Sequence, residues 1–242
     1  MSRSGMSRFR VVGFPLLLAA LALCAPLRAR ATLLHQYNFN GSVTDQVGTM
    51  NGTLEGGATA SGGLLTLNGT SAYAQLSGYA IPSGDFSITF DATIAAISLS
   101  NYAEMISQGS SGAPGFYIGI TPGPNSSFRL GDAVGGITVA TPTDGKQHSY
   151  ELISSAANGT QFYIDGTQVF TSAIQATAPQ SGTDTRIGDQ FSGYSEFLDG
   201  SISNLSIYSR LPSAAVPEPS GLALLAGGAL LLTLLPRRRR SQ

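Results

Sequence analysis

The chain has 242 residues, with 13 Lys+Arg against 14 Asp+Glu, 30 Gly, one Cys and no Trp. Nine of the basic residues sit near the two ends, so residues 32–216 keep four basic against thirteen acidic residues and carry −9. That balance excludes nucleic acid as a partner, since phosphate binding needs clustered Lys and Arg. With only 11% charged residues and so much glycine, long amphipathic helices are excluded too.

Arg3, Arg8 and Arg10 precede an apolar run over residues 11–25, followed by Ala29-Arg30-Ala31. A basic start, a short apolar core and an A-x-A site describe a secretory signal peptide over residues 1–31. Signal peptidase is expected to cut after Ala31, reading the small residues Ala29 and Ala31. As a helix the run reaches about 22 Å, short of the hydrocarbon core of about 30 Å, which argues against a permanent anchor. Acylation of Cys24 as a lipoprotein is disfavoured, because Leu23 stands where that processing prefers a small side chain. Loss of the leader leaves a protein without cysteine in an oxidising compartment, hence without disulfides or thiol chemistry.

Residues 32–212 read as one all-β domain. Phe86, Ile88, Phe90, Ala92 and Ile94 alternate with Ser87, Thr89, Asp91 and Thr93, the period of a half-buried strand. Phe116, Ile118 and Ile120 repeat the pattern, as do Tyr150 with Leu152 and Phe162 with Ile164. Turn signals separate these runs, among them Asn68-Gly69, Asp144-Gly145, Asn158-Gly159 and Asp165-Gly166. The last lies between Phe162-Tyr163-Ile164 and Gln168-Val169-Phe170 and predicts a tight hairpin. Asn40, Asn51, Asn68, Asn125, Asn158 and Asn204 each open an Asn-x-Ser/Thr triplet and are read as turn residues. No stretch of the body has the helical period of 3.6. Many short strands with regular turns predict an antiparallel β-sandwich or jelly roll, flanked by an N-terminal signal helix and a C-terminal hydrophobic helix.

The order of these segments resembles the laminin-G-like (concanavalin A-like) jelly roll across roughly residues 33–211. Tyr37-Asn38-Phe39 with Thr44-Asp45-Gln46-Val47-Gly48 is similar to its opening strand and turn. Leu65-Thr66-Leu67-Asn68-Gly69, Gly84-Asp85-Phe86-Ser87-Ile88 and Tyr163-Ile164-Asp165-Gly166 are similar to later strands and the mid-domain hairpin. Residues 200–210 resemble the closing strand. Two departures stand out: Gln147 replaces the usual Trp before the mid-domain His148, and Ser203-Asn204 replaces Asp-Glu after the closing Ile202.

The resemblance implies three chemistries to weigh. Glycoside hydrolases of the laminarinase type need two carboxyl groups about 5–5.5 Å apart for retention, or about 6.5–9.5 Å for inversion. Their Glu-x-Asp-x-x-Glu spacing does not occur here, and Glu196 and Asp199, three apart, point to opposite faces of a regular strand. No Gly-x-Ser-x-Gly elbow accompanies His35 or His148, so neither is expected to serve a nucleophile, and His148 reads as structural. Catalysis is therefore not expected. A structural calcium is allowed by Asp45 and by the loop acids Asp184, Asp189, Glu196 and Asp199, since calcium takes loop carboxylates; no other cofactor is implied. Sugar binding uses aromatic faces, and Tyr79, Tyr102 and Tyr194, in Gly/Ser-rich contexts that read as loops, are the candidate ligand platform.

Residues 213–242 form the last unit. Val216-Pro217-Glu218-Pro219 is followed by an apolar run over 221–235 and then Arg237, Arg238, Arg239 and Arg240. The prolines hold the motif extended, the apolar run enters a bilayer, and the arginines keep its end cytoplasmic. This tail resembles the PEP-CTERM sorting signal of Gram-negative bacteria, which implies transient inner-membrane anchoring and processing by an exosortase-type protease. The expected product is a non-enzymatic surface module that binds glycan or protein in an extracellular matrix or exopolysaccharide layer. The alternatives are a matrix protein without a specific ligand and a glycan-processing enzyme.

Overall fold

The computed structural model describes residues 31–95, 101–110, 114–191 and 194–209. The leader with Ala29, and the tail with Val216, Pro217, Glu218, Pro219 and the arginines of 237–240, lie outside these residues. Among the described residues no helix is long and apolar enough to cross a membrane.

In chain order the strands are β1 (Leu33–Tyr37), β2 (Gly52–Glu55), β3 (Thr59–Ser61), β4 (Leu64–Asn68), β5 (Tyr73–Leu76), β6 (Phe86–Ile94), β7 (Ala103–Gly109) and β8 (Phe116–Ile120). They continue with β9 (Ser127–Leu130), β10 (Gly136–Ala140), β11 (Gln147–Ser155), β12 (Gly159–Ile164), β13 (Thr167–Ser172), β14 (Thr183–Ile187) and β15 (Asp199–Tyr208). One helical turn, α1 (Gly131–Val134), lies between β9 and β10. It is too short to carry the 3.6-residue period that would have announced it in the sequence.

The strands make an antiparallel sandwich of two sheets. The first has the order β13-β12-β11-β6-β15-β4-β3, with β1 also on β15; the second runs β10-β9-β8-β7-β14-β5-β2. β15 holds the first sheet together, pairing with β4 through residues 199–202, with β6 on its other side, and with β1 through Leu205 to Tyr208. The predicted alternation is visible in the packing. Phe86, Ile88, Phe90, Ala92 and Ile94 are all buried, as are Phe116, Ile118, Ile120, Tyr150, Leu152 and Phe162. Aromatic rings fasten sheet to sheet: Phe86 meets Phe116 edge-on at 5.2 Å, and Phe128 meets Phe162 at 5.0 Å. The Asp165-Gly166 turn forms as expected, with φ of 51° and 73°, the left-handed pair that a two-residue hairpin between right-twisted strands requires.

Asp45 fixes the opening turn on β1. Its carboxylate accepts backbone N–H bonds from Gln36 (3.2 Å), Val47 (3.2 Å), Gly48 (3.0 Å) and Met50 (3.1 Å), and pairs with His35 Nδ1 at 2.6 Å. Both oxygens are thus engaged by protein donors. Gly48 is required here, because a Cβ would fall 2.6 Å from Asp45 Oδ2 and 2.7 Å from His35 Nδ1. Burial alone would push this carboxyl up, but the His35 bond and the Gly48, Gln36 and Val47 amides outweigh it and lower the pKa to about 2. The gap from the usual carboxylate value corresponds to about 2 kcal/mol. Because the folded pKa is depressed, this stabilisation is present above pH about 4 and is lost as pH falls through about 2. Thermal melts of wild type and Asp45→Asn should therefore differ most near neutrality and converge in acid; a constant gap across that range would contradict this role.

Candidate functional site

The outer face of the second sheet carries two arginine-centred clusters. Register builds the first. Glu104 of β7 stands opposite Gly119 of β8, which stands opposite Arg129 of β9, so the three form one row across the sheet. Glu104 is fully buried although Ala103, Met105 and Ile106 around it read as core strand. Its side chain lies over Gly119, where a Cβ would come within 1.8 Å of Oε2. Arg129 Nη2 donates to Glu104 Oε1 and to Oε2 of Glu196, which arrives from the segment between β14 and β15. The guanidinium is sandwiched between tyrosines, 4.0 Å from the Tyr102 ring centre and 4.6 Å from that of Tyr117.

One cation therefore faces two carboxyl groups. Burial pushes the Glu104 carboxyl well up; Arg129 opposes this, and the adjacent Glu196 adds to it. Tyr117 donates to Asp132 Oδ1 of α1 (2.8 Å), and Asp132 Oδ2 accepts the Gly115 amide (2.7 Å), which ties α1 to the same face.

The second cluster centres on Arg186 of β14, which donates to Gln75 Oε1 (2.9 Å), Asp189 Oδ2 (2.7 Å) and the Gln190 carbonyl (2.9 Å) and lies 4.7 Å from the Tyr73 ring. Ser107 donates to the Asp189 carbonyl at 2.7 Å. Phe191 packs on Tyr117 at 6.4 Å and Phe197 on Tyr73 at 6.2 Å. The described part of the segment between β14 and β15 is thus pinned over the sheet from both sides.

The three predicted platform tyrosines differ in setting. Tyr102 belongs to the first cluster, with its ring on Arg129 and 39% of its surface exposed. Tyr194 is 53% exposed, in the same segment as Glu196. Tyr79 donates to the Gly182 carbonyl at 3.0 Å and serves as a strut. Glu196 precedes β15 rather than sharing its regular alternation with Asp199, and its ion-pair partner is Arg129, far off in sequence. Of the loop acids, Asp189 and Glu196 are engaged by arginines, and among the described residues no group of three or more His, Cys, Asp or Glu is placed to hold a metal. His148 bridges two turns, with Nδ1 on Asp165 at 2.7 Å and Nε2 on Asp144 at 3.2 Å. No spacing of carboxylates along one strand encodes the Glu104–Arg129–Glu196 cluster. The available signal was one charged residue inside each of two apolar runs, Ala103–Ile106 and Phe128–Leu130.

Residues 68–216 match the concanavalin A-like lectin/glucanases superfamily. The chain belongs to that superfamily. The sandwich extends upstream of the matched stretch, since β1 pairs with β15 and β2 with β5. No curated protein matches the chain. Among solved structures it is similar to domain 4 of an extracellular arabinanase from Geobacillus stearothermophilus, in complex with arabinotriose. That likeness has a TM-score of 0.60 at 19% identity and covers 76% of this chain and 97% of that one. A Trypanosoma rangeli sialidase mutant displaying trans-sialidase activity matches with a TM-score of 0.57 at 17% identity, over 74% of this chain and 31% of that one. The binding domain of botulinum neurotoxin DC, in complex with SialylT, matches with a TM-score of 0.55 at 14% identity, over 81% of this chain and 50% of that one. The chain thus spans about a third of the sialidase and half of the toxin chain. At these identities the likeness is one of fold.

The row geometry makes two substitutions informative. Gly119→Ala forces a methyl group against a sealed carboxylate and should lower stability by about 1–3 kcal/mol, read as a fall in Tm. Arg129→Met strips two carboxyl groups of their shared cation and should cost about 3–5 kcal/mol. Adding Glu104→Gln to Arg129→Met should recover part of that loss. Strict additivity of the two changes would show that the residues act independently.

Proposed function

We propose that this chain is a non-enzymatic carbohydrate-binding module, exported and displayed in an extracellular polysaccharide layer, with Tyr102 as its contact platform. One observation carries the reading: Arg129 holds the Tyr102 ring from one side while 39% of the residue remains in water. A sugar's C–H face stacks on such a ring, and a ring already immobilised loses little conformational entropy on binding. Likeness in fold to an arabinanase domain in complex with arabinotriose and to a toxin binding domain supports the same reading.

The carboxyl pair argues for binding over hydrolysis. A glycosidase acid and its partner must flank a sugar bond. Here both carboxyl groups converge on one guanidinium, and Glu104 Oε2 is sealed against Gly119. Delivery to the surface rests on the leader and on the Val216-Pro217-Glu218-Pro219 tail, with signal peptidase and an exosortase-type protease as processing partners.

Two measurements test this. On an array carrying arabinan, β-glucan and sialylated glycans, wild type should bind a subset, Tyr102→Ala should bind it at least about tenfold more weakly, and Tyr102→Phe should retain it. Equal binding by Tyr102→Ala would remove the platform from the proposal. Deleting residues 217–242 should release the product from the cell surface, and persistent display after that deletion would refute the sorting role.

A further inference from the structure

The opposite side of the sandwich has an opening of its own. On the outer face of the first sheet, β6, β11 and β12 form a groove of about 290 Å³ whose lining includes Thr89, Asp91, Ser149, Glu151, Tyr163 and Asn204. Register puts Glu151 directly opposite Thr89 on one side and Tyr163 on the other, with Asp91 diagonal to it. Two members are held in place. Asn204, at φ 52° beside an irregularity in β15, donates to Asp91 Oδ2 at 2.7 Å, and Tyr163 donates to Gln168 Oε1 at 3.1 Å.

Glu151 lies between them, half-buried, with no hydrogen bond or ion pair to its carboxylate among the described residues. Burial accordingly raises its pKa. Its carboxylate oxygens are not sealed from the groove, so the donors of a ligand can meet them there. No Lys, Arg or His lines the groove.

From this geometry we infer a second saccharide site on the first sheet, formed by Asp91, Glu151 and Tyr163, that takes a neutral sugar. Sugar hydroxyls donate to the two carboxylates, the Thr89 hydroxyl supplies a return bond, and the Tyr163 ring walls one side. The acidic lining, unrelieved by any cation, disfavours sialylated or otherwise anionic sugars. The inference rests on the glycan-binding reading and deepens it. Sites on opposite faces of one sandwich make the module bivalent, able to join two polysaccharide strands without dimerising.

Residue-resolved NMR separates the two sites. The 15N-labelled full-length chain, held in mild detergent, is titrated with arabinotriose, with laminaritriose and, as a cationic competitor class, with spermidine. Amide shifts are expected at Asp91, Ser149, Glu151 and Tyr163 with at least one trisaccharide. They should persist in Tyr102→Ala and weaken at least about tenfold in both Glu151→Gln and Tyr163→Ala. Trisaccharide shifts confined to the surroundings of Tyr102 would overturn the second site and leave the first standing. Shifts at the groove alone would do the reverse. A groove that responds to spermidine and to neither trisaccharide would overturn the saccharide assignment.

Discussion

Everything in the first sheet depends on its last strand. β15 is flanked by β6 on one side and by β4 and β1 in succession on the other, so neither half of that sheet is complete until residues 199–208 are in place. Ile202, Leu205 and Ile207 bring core side chains with it. Gly200 sits at φ 149° with its Cα so close to β6 that a Cβ would fall 2.0 Å from the Thr93 carbonyl. Closing the sandwich thus requires contacts between distant parts of the chain, and the entropy of closing those loops precedes the gain from packing.

The two faces use polar chemistry in opposite ways. On the second sheet, arginines, acids and aromatic rings are packed into clusters that fasten a long connection over the strands. On the first sheet, polar residues at the same alternating positions line an open groove. The first arrangement contributes rigidity that a body without cysteine obtains from no disulfide. Asp45 does similar work at the opening turn, where one carboxylate organises four backbone amides and a histidine. The Asp45 network has both carboxylate oxygens engaged, whereas the arginine clusters leave Glu104 Oε2, Arg129 Nε and Asp189 Oδ1 buried without a hydrogen bond; glycines at 48 and 119 matter in both as much as the charges they make room for.

Local patterns were legible in the sequence, and pairings that depend on topology were not. The alternation from Phe86 to Ile94 announced β6 and its buried face, because period 2 is a property of neighbouring residues. Asp165-Gly166 announced its hairpin for the same reason. Glu104 and Glu196 meet only because β7 and the end of the β14–β15 connection lie side by side, and no spacing rule along one strand encodes that. Tyr79 and Tyr102 look alike in sequence, each in a small-residue context. They part in the fold, one against a carbonyl and the other against a guanidinium. The departures from the family pattern also find a physical setting: Gln147 donates to Ser203 at 3.3 Å, and the adjacent Asn204 orients Asp91.

The row from Glu104 through Gly119 to Arg129 has an evolutionary consequence. A side chain at 119 is compatible only with a shorter residue at 104. A lost guanidinium at 129 makes acids at both 104 and 196 untenable. Homologues should therefore split into lineages that keep all four residues and lineages that have replaced them together. Sequences with an isolated change at one position should be scarce, so covariation across these sites would trace the descent of this outer face.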